Sequence, residues 1–396
     1  MKLPRPKLSW VIVGTVSLVI GAAAAYMLLR GDLLPHAQQP SQADNKDTHA
    51  VSERRIHVAA MGDMLAHDTI IAGAKVGTSY SFDHYFENIR SSYRTADMVF
   101  CNQEGLSSGE AYGISGYPSF NAPTEFAAGL RSGAGCNVIN LANNHMGDKG
   151  VEATNATIDA WTGLKPLAIS GANKDLASQN KVSYGTVNGI RFGFVSFADF
   201  NNNVATPGYS INNYHDEALV RRLVGEARSN ADVVMVSMHW GVEDLSEVSP
   251  DQKQAVALLG LLGVDVVIGT GPHVLQKAEI LSRPDGGRMV VWYSLGNMLS
   301  SQFDIRELIG GIAEFDIVKT DTEKIKIEGL GFTPTYMHYE WTVAEKARDD
   351  VLARKNAKIY LLKDAADPLS RSLFSTTVSQ QRQYVVDILG PDVVVK

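Results

Sequence analysis

Residues 233–240 read VVMVSMHW, an apolar run that stops at His239. A short run rich in Val and Met is typical of a strand that is buried on both faces of a sheet. Four other runs end in the same way: VAAMGD at Asp63, MVFCNQE at Glu104, VINLANNH at Asn144 and His145, and VVIGTGPH at His273. Because open α/β sheets present functional residues at the carboxyl ends of their strands, the five runs predict one site at one edge of a sheet.

The side chains at these strand ends are of the kind that binds a divalent metal. They comprise two carboxylates, one amide and three imidazoles, with no thiolate. This donor set fits Mn, Fe, Zn or Mg, and a bridging carboxylate can hold two ions about 3.5–4 Å apart. We therefore expect one or two ions. Asn144 and His145 are adjacent, so their side chains diverge, and one can bind metal while the other faces substrate. Taken singly, Asp63 could equally cap a turn and His239 could be a core histidine.

Composition excludes some classes of function. The chain has 396 residues, a hydrophobic content of 45% and a net charge of −7, with no basic block. Nucleic-acid binding needs a clustered Lys/Arg surface, so we expect no nucleic-acid partner. The two cysteines, Cys101 and Cys136, are too few for a zinc ribbon or a disulfide framework. Each lies in or beside a predicted strand, which favours two small buried hydrophobic residues; a disulfide between neighbouring strands is the alternative.

The N-terminus predicts a membrane location. Trp10–Leu29 is an uncharged apolar stretch, long enough to cross a hydrocarbon core of about 30 Å as a helix. Three basic residues precede it, Lys2, Arg5 and Lys7. By the positive-inside rule, residues 1–9 remain cytoplasmic and the main domain is exported, giving a single-pass protein of the cell membrane. A signal peptide cleaved near Ala22–Ala24 is the alternative. The polar residues 30–55 are predicted to form a flexible linker.

Strands and helices alternate through the predicted main domain, residues 56–340. Glu217–Arg228 shows a helical apolar face, and Ser249-Pro250 is a typical helix start. Two hairpins interrupt the alternation, one at Asn188-Gly189 and one at residues 284–287. Parallel and antiparallel strands together predict an α/β fold in which two packed sheets carry outer helices. Residues 341–396 are charged and are predicted to form a C-terminal helical extension.

Several of these segments resemble one family. The segments are GDMLAHD (62–68), CNQEG (101–105), GYPSFNAP (116–123), LANNHMGDKG (141–150), MHWGVED (238–244), GTGPHVLQ (269–276) and WYSLGNMLSSQ (292–302). Together they resemble the bacterial capsule-synthesis family called CapA or PgsA, over about Ile56 to Tyr336. The resemblance implies a membrane-anchored protein of poly-γ-glutamate capsule production. It also implies a fold of the metallo-dependent phosphatase type, a two-sheet α/β sandwich with a metal cluster at the strand ends.

The resemblance assigns roles to individual residues. It implies five metal ligands, Asp63, Glu104, Asn144, His239 and His273, with His145 as the catalytic or substrate-facing imidazole. Ser294, Gly296 and Asn297 would line the site.

Three further residues are candidates for substrate contact or for support of the ligands. His67 could contact the site or start a solvated helix, and Trp240 could contact substrate or belong to the core. Asp148 could orient His145, although an N-cap of the next helix is the favoured interpretation.

The sequence departs from the phosphoesterase pattern in two places. Thr270 and Gly271 stand where related enzymes often carry a second histidine. Phosphoesterases usually begin with a D-x-H motif, whereas Asp63 is followed by Met64 and Leu65. Fewer imidazoles leave the number of ions, and with it phosphatase activity, open.

Three functions remain compatible with these motifs. The first is an anchored metal-dependent hydrolase or transferase acting on a phosphoester, or on an amide of a polyanionic polymer such as poly-γ-glutamate. The second is a non-enzymatic subunit that binds the polymer or assembles with membrane-embedded capsule synthetase subunits. The third is a phosphatase of cell-envelope lipid or precursor phosphate esters.

Overall fold

The computed structural model describes residues 53–321 and 325–396. The predicted cytoplasmic tail, the membrane segment 10–29 and the linker up to residue 52 lie outside the described residues. In the part that is described, no helix combines the length and the apolar character needed to cross a bilayer. The predicted linker ends earlier than expected, because the first strand already begins at Glu53.

The strands follow each other along most of the described chain. They are β1 (Glu53–Leu65), β2 (Lys75–Val76), β3 (Ser79–Tyr80), β4 (Met98–Glu104), β5 (Val138–Asn140), β6 (Ala168–Ser170), β7 (Ser183–Val187), β8 (Ile190–Ala198), β9 (Val233–His239), β10 (Val266–Thr270), β11 (Ala278–Ser282), β12 (Arg288–Trp292), β13 (Asn297–Leu299), β14 (Ile309–Thr320), β15 (Lys326–Glu340), β16 (Lys355–Leu361) and β17 (Val394–Val395). The helices are α1 (Asp68–Gly73), α2 (Glu125–Ser132), α3 (Val151–Gly163), α4 (Leu176–Gln179), α5 (Glu217–Asn230), α6 (Pro250–Leu261), α7 (Val343–Ala347), α8 (Ala366–Ser370) and α9 (Val378–Leu389).

Two large mixed sheets organise these elements. The nine-stranded sheet has the order β16-β15-β14-β1-β4-β5-β6, with β13 beside β1 and β17 beside β15. The six-stranded sheet has the order β11-β12-β10-β9-β8-β7. In each sheet the central strands are parallel, β1-β4-β5 in one and β8-β9-β10 in the other. The predicted mixed α/β fold is therefore confirmed.

The core lies between the two sheets. Phe100 of β4 meets Phe194 of β8 edge to face, with ring centroids 6.1 Å apart. Alternate residues of β9 face opposite ways: Met235 belongs to this central core, whereas Val234 and Val236 pack with α5 and α6 on the outer face. Strand β9 is buried along its whole length, because it is covered by a sheet on one side and by helices on the other.

Local signals predicted one hairpin turn and one helix start correctly. Asn188 and Gly189 both have positive φ, 50° and 74°, as a type I′ hairpin requires. Helix α6 begins at Pro250, and the Ser249 side chain accepts a hydrogen bond from the backbone N–H of Gln252. These features depend on short-range sterics and hydrogen bonding, so they can be predicted from a few neighbouring residues.

The helical prediction for residues 341–396 is wrong for part of that stretch. Residues 355–361 form β16, which pairs antiparallel with β15, and Val394–Val395 pairs with β15 as well. The described helices of this stretch, α7 to α9, are short. A charged sequence was mistaken for a solvated helix, because an edge strand beside β15 also carries exposed Lys side chains.

The favoured interpretation of the cysteines is also wrong. Cys101 of β4 and Cys136, which precedes β5, form a disulfide with their Cα atoms 5.7 Å apart. Neighbouring parallel strands β4 and β5 bring the two residues together, and that pairing is not visible in the spacing of the cysteines. The disulfide ties the strand that ends in Glu104 to the segment that leads to Asn144.

Removing the disulfide should lower the stability of the protein. The bond links residues separated by 35 positions, so replacing both cysteines with alanine should lower the free energy of unfolding by about 2–4 kcal/mol. Denaturant unfolding of the purified chain with and without the substitutions measures this difference. Titration of two free thiols in the unreduced, unfolded wild type would contradict the assignment.

A close backbone contact fixes the end of β1. The pairing of β1 with β4 shifts register between Met61 and Asp63, and the Asp63 N–H donates to the Gly296 carbonyl at 3.0 Å. A Cβ atom at Gly62 would lie 1.8 Å from the same carbonyl oxygen. Glycine is therefore required at position 62 by space, and the contact sets the direction in which Asp63 points.

The variant Gly62→Ala should be destabilised by about 2–3 kcal/mol or more, because two backbone segments must separate. Gly225→Ala is the matched control, since its Cβ would meet nothing within 4 Å in the middle of α5. The control should be neutral or stabilised by up to about 1 kcal/mol. Equal unfolding midpoints for the two variants would show that the contact is not as close as described.

Candidate metal centre

Four of the predicted ligands meet between the two sheets. Asp63 and Glu104 belong to the ends of β1 and β4 in the nine-stranded sheet, while His239 ends β9 and His273 follows β10 in the six-stranded sheet. The expectation of one edge of one sheet is therefore wrong. Carboxyl ends of strands from both sheets face each other. The nine-stranded sheet supplies the carboxylates, and the six-stranded sheet supplies the imidazoles.

The four side chains are within a few ångströms of one another. Ligand atoms of Asp63, Glu104 and His239 all lie within 4.8 Å of each other. Glu104 Oε1 is 3.7 Å from His239 Nε2 and 3.7 Å from His273 Nε2. Asp63 Oδ2 is 3.3 Å from His273 Nδ1. The two distances from Glu104 to the histidines are too long for direct hydrogen bonds and leave room for a cation between the donor atoms.

Glu104 is the residue that most needs a cation. Its side chain is 1% exposed, and both carboxylate oxygens are buried without a hydrogen-bond partner among the described residues. An unpaired buried carboxylate is unfavourable by several kcal/mol. Buried carboxylates without a hydrogen-bonding partner are usually paired with a cation or bind a metal. The donor set therefore fits a divalent metal, because a cation would neutralise the unpaired Glu104 carboxylate.

Burial and mutual charge set the protonation of Glu104, His239 and His273. Burial raises the pKa of Glu104 well above its usual range, and burial lowers the pKa of His239 to about 4. Burial alone would lower the pKa of His273, but the carboxylates of Glu104 and Asp63 outweigh it and raise that pKa to about 10. His239 is therefore a neutral imidazole, as metal binding requires, whereas His273 carries a proton that a metal would displace.

Neighbouring polar groups orient the ligands. Asn102 Nδ2 donates to Asp63 Oδ1 at 2.6 Å, and the Gly271 N–H donates to Asp63 Oδ2 at 3.1 Å. Thr270 Oγ1 lies 3.1 Å from His239 Nδ1. Asn297 Oδ1 accepts from His273 Nδ1 at 3.0 Å, which leaves His273 Nε2 directed towards Glu104. Such partners fix the ring orientation of metal-binding histidines.

Two of these orienting residues were missed by the sequence analysis. Asn102 lies two positions before Glu104 in the same strand, so both side chains point to one face; this alternation could have revealed it. Thr270 was noted only as a departure from a histidine pattern, yet it pairs with His239.

Asn144 and His145 diverge, as expected for adjacent residues. Asn144 Oδ1 is 3.1 Å from His239 Nε2, which places it next to a predicted ligand. His145 Nδ1 lies 2.8 Å from Asp148 Oδ2, and the same oxygen accepts from the Phe120 N–H at 2.7 Å. The favoured interpretation of Asp148 as an N-cap is wrong, since α3 starts after Gly150 and no side chain caps it. Asp148 orients His145, and within residues 53–321 and 325–396 His145 Nε2 forms no hydrogen bond.

The remaining predicted residues form the walls of the centre. His67 is half-buried and neutral, because desolvation lowers its pKa to about 3, and its Nδ1 accepts from the Ser301 N–H at 3.3 Å. Trp240 is buried and donates from Nε1 to the Tyr293 carbonyl. Ser294 donates to the Val274 carbonyl at 2.7 Å, next to His273. The Gly296 carbonyl accepts a hydrogen bond from the Asp63 N–H.

A cavity of about 330 Å³ lies beside the ligands. Its lining includes Asn144, His239, Asp199 and Glu243. Asp199 directly follows β8, so it is a further strand end with a carboxylate that the sequence analysis did not single out. The cavity brings solvent-accessible space to the Asn144 and His239 side of the centre.

The fold and site define a mixed α/β protein with a candidate metal centre between two sheets. Residues 57–302 match the family described as bacterial capsule synthesis protein PGA_cap. This match covers more than half of the chain, and it includes every strand end of the centre. The chain belongs to this capsule-synthesis family.

Two curated relatives agree with this assignment. The chain is 30% identical over 234 residues to the PGA biosynthesis protein CapA of Bacillus subtilis (strain 168), covering 58% of this chain and 57% of that protein. It is 34% identical over 176 residues to the capsule biosynthesis protein CapA of Bacillus anthracis, covering 43% of this chain and 41% of that protein. The chain thus spans about half the length of the curated relatives it matches.

Solved structures show only distant likeness. The NAD nucleotidase (NadN) of Haemophilus influenzae superposes with a TM-score of 0.42 at 13% identity, covering 76% of this chain and 63% of that one. A hypothetical protein from Thermus thermophilus gives a TM-score of 0.38 at 15% identity, covering 69% of this chain and 99% of that one.

Divalent metal should bind more tightly as pH rises. A metal at this centre must displace the proton from His273, whose pKa is raised to about 10. The affinity should therefore rise by up to about tenfold per pH unit for each proton released, between roughly pH 6 and 9. Calorimetric titration with Mn²⁺ or Zn²⁺ in two buffers of different ionisation enthalpy measures the proton release. Binding without any proton release would contradict the described protonation.

Proposed function

We propose that the protein is a membrane-anchored, extracytoplasmic hydrolase or transferase of poly-γ-glutamate capsule synthesis that uses a divalent metal. The observation that carries the proposal is the unpaired Glu104 carboxylate among Asp63, His239 and His273, next to the His145–Asp148 pair. A binding subunit would not need a buried acid–base pair beside a cluster of ligands. This combination supports chemistry at the centre.

The chain's own residues have distinct parts in such a reaction. Asp63, Glu104, His239 and His273 would hold the metal, with Asn144 beside them. A bound divalent ion lowers the pKa of water towards about 7 and polarises a carbonyl or phosphoryl oxygen. His145 Nδ1–H donates a hydrogen bond to Asp148 Oδ2, so Nε2 carries the lone pair. From that atom His145 can accept a proton from an attacking group, or donate one to a leaving group.

The proposed location is supported by two features of the chain. The Cys101–Cys136 disulfide is of a kind that persists in oxidising compartments outside the cytoplasm. The uncharged stretch Trp10–Leu29, with basic residues before it, favours a retained single-pass anchor. Both features suit a protein that meets its polymer at the outer side of the cell membrane.

The proposed substrate follows from the family and from the charge of the chain. The name of the Bacillus subtilis relative refers to PGA biosynthesis. A net charge of −7 does not favour binding of a polyanion over the open surface of the chain. A metal-loaded centre supplies the local positive charge that would bring a carboxylate polymer to His145. The bond that reacts is either the amide of the polymer or a phosphoester of an envelope precursor.

The variant His145→Ala should lose about 10²–10⁴-fold in kcat and keep its metal, because His145 moves a proton without being among the ligands. Asp148→Asn should also lower kcat, since the asparagine side chain would no longer fix the tautomer of the His145 imidazole. Turnover of γ-linked glutamate oligomers and of a generic phosphodiester is measured with and without chelator, alongside metal content.

His57→Ala is the matched control, because His57 lies towards the start of β1, away from Asp63, and pairs with Asp316 of β14; the turnover of this variant should be unchanged. The absence of metal-dependent turnover on both substrate types, in metal-loaded wild type, would overturn the proposal and favour a binding or assembly function.

A further inference from the structure

A large cavity lined by basic side chains lies away from the metal ligands. It has a volume of about 640 Å³ and lies between α1 and β16. Five basic or titratable nitrogen-bearing side chains line it and no carboxylate does: His84, Arg354, Lys355, Lys358 and Arg371. In a chain of net charge −7, such a lining is unusual. Most of these residues lie beyond residue 302, where the family match ends.

The basic residues of this cavity are only partly neutralised. Lys358 pairs with Glu87 at 2.9 Å, and Arg371 pairs with Glu340 at 2.8 Å and also with Asp367. None of these three carboxylate residues lines the cavity. The counter-charges of Lys358 and Arg371 therefore lie outside the lining, and no carboxylate within the lining opposes the cations.

Arg354 and Lys355 form no ion pair within the described residues. The Arg354 guanidinium lies over the rings of Trp341 and Tyr339, 4.1 and 4.8 Å from their centroids, and its Nε is buried without a hydrogen-bond partner. Lys355 is exposed at the start of β16. Lys355 is therefore free to meet an anion that enters the cavity, whereas the Arg354 guanidinium is held against the two rings.

The backbone of β16 concentrates the cations on one side. Asn356 has a positive φ of 55°, and the pairing with β15 shifts register between His338 and Glu340. This irregularity interrupts the alternation of a strand, so Lys355, Asn356 and Lys358 all line the same cavity.

Arg354 also connects the cavity with the metal centre. Its Nη1 donates to the Ser301 carbonyl, and the Ser301 N–H donates to His67 Nδ1 at 3.3 Å. His67 is one of the walls of the centre. A single residue thus separates the basic cavity from the site proposed to carry out the chemistry.

We propose that this cavity binds a carboxylate-rich segment of an anionic polymer and holds the chain while another part of it meets the metal centre. Several cations distributed around about 640 Å³ suit successive carboxylates better than one small anion. The preference for a polyanion follows from the cavity; its identity as γ-linked glutamate rests on the proposed function.

The test is equilibrium binding of a fluorescein-labelled γ-linked glutamate decamer to the full chain in detergent, with chelator present so that no metal contributes. Lys355→Glu should weaken binding about tenfold or more at low salt, and wild-type binding should weaken steeply with added salt. Lys253→Glu is the control, because Lys253 is an exposed lysine of α6 outside this cavity; its affinity should stay within about twofold of wild type.

Equal affinities for the Lys355 and Lys253 variants would overturn the proposal. Inorganic phosphate at matched total charge should compete poorly, and equal competition would overturn the assignment to a polymer. The binding assay measures no turnover and is done without metal. A negative result in it would therefore leave the proposed metal-dependent reaction unaffected. Conversely, an inactive metal centre would not alter the binding result.

Discussion

The burial of the Glu104 carboxylate is the constraint on which the rest of this structure depends. Both of its oxygens lie inside the protein without a hydrogen-bond partner among the described residues, which is unfavourable unless a cation is present. The surrounding structure holds Glu104 in this position rather than allowing it to reach solvent. The disulfide secures β4, which ends at Glu104, and the contact between Gly62 and Gly296 places Asp63 beside it.

Much of this arrangement could be predicted from the sequence, because it depends on local patterns. The apolar runs predicted the strands and their polar ends, and Asn188-Gly189 and Ser249-Pro250 predicted a turn and a helix start. What could not be predicted depends on pairing between distant segments. The meeting of two sheet edges, the disulfide, and the strand β16 each require knowledge of which strands are neighbours. Asp148 shows the same limit, since a carboxylate before a helix serves equally as a cap or as a histidine partner.

The negative net charge of the chain bears on how the metal centre and the basic cavity around Arg354 could bind a polyanion. An acidic protein repels a polyanion over its general surface. The metal centre and the cavity around Arg354 would be the places where that repulsion is reversed, and Ser301 lies between them. A polymer held in the cavity would be retained during repeated encounters of its bonds with His145. The two sites would then act on one substrate, with binding and chemistry assigned to different residues.

A divalent metal in the space between Asp63, Glu104, His239 and His273 is central to the proposed chemistry. Anomalous scattering from a crystal soaked in Mn²⁺ tests its presence most directly, because it locates the ion without reference to activity. We expect an anomalous peak at about 2.0–2.3 Å from ligand atoms of Glu104, Asp63, His239 and His273. A map without a peak there, with ordinary hydrogen bonds satisfying the Glu104 carboxyl group, would contradict a metal centre at this position.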